Sequence, residues 1–167
     1  MKRMTVASLL TLVFLFIFSA TPNAEMAKEG TESVTEYFHG TYQALAMGEE
    51  FVQSNWETYG VIVSDTVEGL FHNLSLHCLG GLYAVKGVYK ETGLCEYTRP
   101  NGDKVYMTFK TDGEFGKPSR GSTTIIGGTG EVKNIKGSGE FVSNQLRSAA
   151  EGTFQGYANA KYHWKIP

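Results

Sequence analysis

Apolar and polar residues alternate along much of this chain with a period of two. The clearest case runs from Lys104 to Lys110, where Val105, Met107 and Phe109 interleave with Lys104, Tyr106, Thr108 and Lys110. Such a period predicts a strand with one buried and one wet face. Comparable stretches, rich in Val, Tyr, Phe and Trp, predict further strands at Tyr37–Met47, Phe51–Val63, Phe71–Cys78, Leu82–Tyr89, Leu94–Thr98, Gly121–Ile126 and Gly152–Ile166. Turn signals separate them: Gly48-Glu49, Asp65 with Gly69, Gly80-Gly81, Pro100-Asn101-Gly102-Asp103 and Gly127-Gly128-Thr129-Gly130. The Asn101-Gly102 pair predicts a type I′ hairpin. About eight short strands with no long helical pattern imply an all-β fold, either a sandwich or a barrel. Short connections between successive strands favour an antiparallel barrel, because closure removes exposed edges.

The first segment breaks this pattern. Lys2 and Arg3 precede an uncharged run from Met4 to Ala20, densest in apolar residues at Leu9–Phe18. A basic start followed by a short apolar stretch predicts an N-terminal signal helix, cut after Ala24. The competing expectation is an uncleaved anchor, since the run is near the shortest that spans a bilayer. Residues 25–36 are polar and read as a flexible lead-in, leaving 37–167 as one barrel domain. The predicted location is secreted or periplasmic.

Composition then narrows the function classes. Without residues 1–24 the chain carries 13 basic and 17 acidic side chains, a net charge of −4. A mildly acidic domain without Lys/Arg clusters lacks the footprint of a nucleic-acid binder. For the same reason no contact with anionic membranes is expected after signal cleavage. All 20 glycines follow residue 24, as suits a tightly turned sheet. The two cysteines, Cys78 and Cys95, are expected to form one disulfide in an oxidising compartment. They enclose about 18 residues, for which loop-closure entropy predicts roughly 3 kcal/mol of stabilisation.

Candidate chemistry is sparse. The four histidines, His39, His72, His77 and His163, lack the spacing of a zinc site, and no metal is expected. No cofactor motif is present: Gly127-Gly128-Thr129-Gly130 has the glycines of a phosphate loop without its Lys-Ser/Thr ending. Glu57 stands out, between Trp56 and Tyr59 in a long strand, on the pleat face of Gln53, Asn55, Val61 and Val63. Two readings of that face are open. It lines an interior pocket, or it is the wet outer wall with Val52, Trp56 and Ile62 pointing inward. On the first reading Asn55, Glu57, Tyr59, His39 and His77 are the candidate ligand-binding residues.

The run Gly127-Gly128-Thr129-Gly130-Glu131-Val132-Lys133-Asn134-Ile135-Lys136-Gly137 resembles a glycine-rich signature of allene oxide cyclase-like and dirigent-like barrels, with Val132 where those families carry an aromatic residue. The span from Gly40 to Pro167 also resembles a group of uncharacterised bacterial exported proteins. That likeness is carried by Val63-Ser64-Asp65, Glu68-Gly69-Leu70-Phe71-His72-Asn73, Cys78-Leu79-Gly80-Gly81, Arg99-Pro100-Asn101-Gly102-Asp103-Lys104-Val105 and Glu151-Gly152-Thr153-Phe154-Gln155-Gly156-Tyr157. The resemblance implies the calycin-type barrel and the disulfide, and carries over no catalytic residue.

An eight-stranded barrel is about the size at which the interior either fills with side chains or holds one small ligand. The leading expectation is therefore an exported barrel that binds a small, mostly apolar ligand. The alternatives are an isomerase or cyclase working in the same cavity, with Glu57 or a histidine moving a proton, and a structural or interaction protein with a filled core.

Overall fold

The computed structural model describes residues 26–67 and 69–167, so the expected signal helix and its cleavage point lie outside the described residues. Eight antiparallel strands form a closed barrel in chain order. They are β1 (Glu29–Met47), β2 (Phe51–Ser64), β3 (Leu74–Val85), β4 (Val88–Thr98), β5 (Lys104–Glu114), β6 (Ser119–Gly128), β7 (Lys136–Leu146) and β8 (Thr153–Lys165), with a 3₁₀ turn at Gly130–Val132 before β7. Closure comes from β1, which pairs with β2 on one side and with β8 on the other, from Glu29 opposite Lys165 to Thr41 opposite Thr153. The barrel expectation therefore holds over the sandwich.

Several local expectations are corrected. Strand β1 begins at Glu29, so most of the stretch read as a lead-in is paired backbone. Its inward positions there are Glu32, Val34 and Glu36, and two carboxylates on the buried face hide the usual alternation. Gly80-Gly81 is no turn. Strand β3 runs straight through it, and the reversal falls at Lys86-Gly87, where both residues have positive φ (52° and 80°) and Val85 pairs with Val88. That is the type I′ hairpin geometry. The turn at Pro100 is of another kind. Gly102 N–H donates to the Arg99 carbonyl (2.9 Å) and Arg99 N–H to that of Asp103 (2.8 Å), while Asn101 keeps a negative φ. Proline fixes φ near −65°, which places Pro100 at the second position of a type I turn and leaves the left-handed position to Gly102.

The two ends of the barrel differ. At one end the β2–β3 connection, the 3₁₀ turn and the C-terminus fold over the lumen. Leu70, Phe71, Val132, Ile135, Trp164 and Ile166 pack there on Val34, Ile62, Leu74, Val105 and Ile125. Glu32 fixes this cover: its buried carboxylate accepts the Leu70 N–H (2.6 Å), the Phe71 N–H (3.2 Å) and the Ser64 hydroxyl (3.2 Å). At the other end the connections are short turns, and the lumen beneath them is less tightly filled.

Cys78 and Cys95 are bonded (S–S 2.03 Å) and sit directly opposite each other, so the bridge joins the adjacent strands β3 and β4. The separate strand expected between them at Leu82–Tyr89 is the end of β3 and the start of β4. Reduction is expected to lower unfolding stability by roughly 3 kcal/mol through the freed chain entropy. Urea titrations with and without reductant measure this, and coincident midpoints would remove the bridge from the stability account.

Candidate functional site

Inward glycines shape the interior. A Cβ on Gly80 would sit 2.3 Å from the Trp56 ring, and one on Gly93 would sit 2.5 Å from Phe109. Gly40 faces Phe154 in the same way (2.6 Å), and Gly121 faces Phe141 (2.2 Å). Each large ring thus lies back against a neighbouring strand where no side chain projects. The rings touch one another: Trp56 stacks on Phe109 (centroids 5.8 Å) and meets Phe154 edge-on (6.2 Å), and Phe109 meets Phe141 edge-on (5.9 Å). Gly80 and Gly93 are register partners, which is why β3 continues through the Gly80-Gly81 pair: it makes room for an aromatic stack.

Between these rings lies a chamber of about 90 Å³, its floor near Tyr97 and Tyr162 and its mouth near Ser119, Ser143 and Gln145. It is smaller than the ~150 Å³ apolar cavity that takes up benzene. Two carboxyl groups line it, Glu36 and Glu91, and no Lys, Arg or His does. Glu36 accepts hydrogen bonds from the phenols of Tyr162 and Tyr97, the latter at 3.4 Å. Burial pushes its pKa up to about 7, and the two phenols restrain the rise. Burial also drives both phenols well above their usual range, with the Glu36 charge adding to it. Glu91, nearer the mouth, is likewise raised to about 7 by burial. The Trp56 indole N–H opposes that rise, although its geometry falls short of a completed hydrogen bond and leaves it without a partner in the buried wall. Chemically the chamber offers apolar, aromatic walls and two carboxyls that change charge near neutral pH.

The residues singled out from sequence are placed elsewhere. Glu57, Tyr59 and His77 do come together, but on the outer wall. Tyr59 OH donates to Glu57 Oε1 (2.7 Å), His77 Nε2 lies 2.8 Å from the same oxygen, and the Tyr59 and His77 rings stack at 4.7 Å. His39 is the register partner of Tyr59 and completes an outward row across β1, β2 and β3. The two donors hold the Glu57 carboxyl below its usual range, Tyr59 first. Asn55 is exposed on the same wall, one pleat further along. The inward set of β2 is Ser54, Trp56, Thr58 and Ile62, which matches the wet-wall reading of Glu57.

Glu36, Glu91 and Tyr97 were not anticipated. Glu91 was within reach of pattern reasoning: the alternation Tyr89, Glu91, Gly93, Cys95, Tyr97 puts it on the face of the cysteine. Glu36 lay in the stretch read as a lead-in. Among the described residues, no three His, Cys, Asp or Glu side chains converge as a metal site. A broader saddle of about 1050 Å³ lies on the outside of β4–β8 and β1, but there Lys90, Lys110, Arg120 and Lys161 interleave with Asp65, Asp112 and Glu140, so no single charge character emerges.

No family model matches the chain, and no curated protein is similar to it in sequence. Among solved structures it is similar to a pterocarpan synthase dirigent protein, with a TM-score of 0.51 and 11% identity over 85% of this chain and 89% of that one. It is also similar to a conserved protein of unknown function from Rhodopseudomonas palustris (TM-score 0.45, 10% identity, 83% of this chain and 99% of that one). The first likeness establishes a dirigent-like barrel fold.

Proposed function

We propose that this dirigent-like barrel holds a small, mostly apolar ligand in the chamber between its aromatic rings, oriented by Glu36 and Glu91. The observation that carries the reading is the set of inward glycines that seat Trp56, Phe109, Phe141 and Phe154 against the wall, leaving space between the rings in place of a closed core. Ligand pockets share this make-up of apolar lining with a few polar groups. An extracytoplasmic setting fits the Cys78–Cys95 disulfide.

Trp56 is a built-in reporter. In a Trp164→Phe background its fluorescence should shift on titration with small cyclic alcohols, ketones and phenols. Replacing Ala158, a small residue on the chamber wall, with Leu should suppress the shift. An emission spectrum indifferent to every compound, in a folded protein, would count against the reading.

One observation favours a second reading, an isomerase or cyclase acting in the same chamber. A carboxyl with a pKa of about 7, held by two phenols that stay protonated, is suited to giving and taking a proton near neutral pH. On that reading Glu36, rather than Glu57, is the proton-transfer group, and Glu36→Gln abolishes turnover while leaving the Trp56 response intact.

A further inference from the structure

We propose that the chamber selects an organic cation, an alkylated ammonium head on a short apolar body, through the pairing of its aromatic rings with the Glu36 and Glu91 carboxylates. This rests on the ligand-binding reading above and names the ligand class.

Three features of the lining point the same way. First, its only ionisable side chains of ordinary acidity are two carboxyls, and no basic side chain faces them. An anionic ligand would meet one sign of charge at both ends, whereas a cation gives each carboxylate a partner. Second, Trp56, Phe109, Phe141 and Phe154 line the space, one pair stacked and two edge to face, and ring faces attract a desolvated cation. Third, the buried Trp56 N–H faces Glu91 without a completed hydrogen bond. A carboxylate accepts from it more strongly than the protonated acid does, so the indole favours the charged form of Glu91 that a cation pairs with. The volume of about 90 Å³ suits a compact head group, with the remainder of the ligand directed to the mouth.

Binding is then linked to protons. Glu36 faces the phenols of Tyr97 and Tyr162 and Glu91 faces the Trp56 indole, with the Tyr89 phenol beside it; none of these carries positive charge. Both carboxyls titrate at about 7, so cation uptake releases protons and tightens as pH rises through neutrality.

The test compares choline with 3,3-dimethylbutan-1-ol, which has the same shape with carbon in place of nitrogen, by calorimetry on the intact protein and on its Glu91→Gln and Glu36→Gln variants. The expected result is a preference for choline of roughly tenfold at about pH 8, much reduced at about pH 5.5 and in either variant, with the alcohol bound equally by all three proteins. Equal binding of the two probes, or a choline preference that survives both substitutions, overturns the cation assignment and leaves the chamber as a neutral-ligand site. Failure of both probes to bind or to move Trp56 emission counts against the chamber reading itself.

Discussion

Glu36→Gln should make the protein more stable above neutral pH, by about 3 kcal/mol at pH 8. The folded-state carboxyl keeps its proton up to about pH 7, whereas in the unfolded chain it ionises from about 4.5. Between those values the folded state binds more protons, so stability falls as pH rises through the window and stays lowered above it. At 1.36 kcal/mol per pKa unit, the buried charge costs about 3 kcal/mol at the upper plateau. Glutamine keeps the shape, and its carbonyl still accepts from Tyr97 or Tyr162, but it has no charge to desolvate. Below about pH 4.5 the two proteins should match closely. Urea midpoints measured across the range decide the matter: a variant less stable than wild type at pH 8 would mean that the two phenols more than offset the burial of the charge. A residual slope should remain in the variant, because Glu91 is raised in the same way.

Glu32→Ala should weaken the fold by about 3–5 kcal/mol, the largest single-residue loss expected in this molecule. Its carboxylate is the acceptor for two backbone N–H groups of the cover over the closed end, Leu70 and Phe71, and for the Ser64 hydroxyl. Those donors are buried with the residue, so truncation leaves them unpaired where water does not reach. Phe71, which packs on Tyr162 at 4.9 Å, should lose its fixed position, and amide hydrogen exchange at Leu70 and Phe71 should accelerate well beyond that of β3. Equal protection factors in variant and wild type would show that apolar packing alone holds the cover.

These two acids also mark the boundary of what the sequence disclosed. The all-β class and most strand positions followed from period-two patterning, and the Cys78–Cys95 bridge from a lone cysteine pair. But Leu82–Tyr89 was expected as one strand where the β3–β4 turn falls, and β7 (Lys136–Leu146), rich in Gly and Ser, was not expected as a strand. Barrel closure followed from the shortness of the connections. The start of β1 did not, because Glu32 and Glu36 occupy inward positions where apolar residues are expected, and their partners (Leu70, Phe71, Tyr97, Tyr162) are distant in sequence. Gly80-Gly81 misled for a related reason. Glycine punctuates turns, but here it clears space for a ring that arrives from β2, and nothing local to β3 announces Trp56. Glu57, His77 and Tyr59 were legible as candidate residues, but their meeting rests on the β2–β3 register, which pairs Tyr59 with His77 and is not written in either strand alone. Which way the wall faces depends on the inward set, Trp56 and Thr58, in the same strand.

The most direct measurement is a crystal structure of the protein soaked with 4-bromophenol, a small ring whose bromine is located by anomalous scattering. On the ligand-binding reading a bromine peak is expected inside the barrel, among Phe109, Phe141 and Phe154 above Glu36, with those rings moved apart to admit a probe larger than the present space. A lumen closed by collapsed side chains, with bromine found only on the outer wall by Tyr59 and His77, would contradict it.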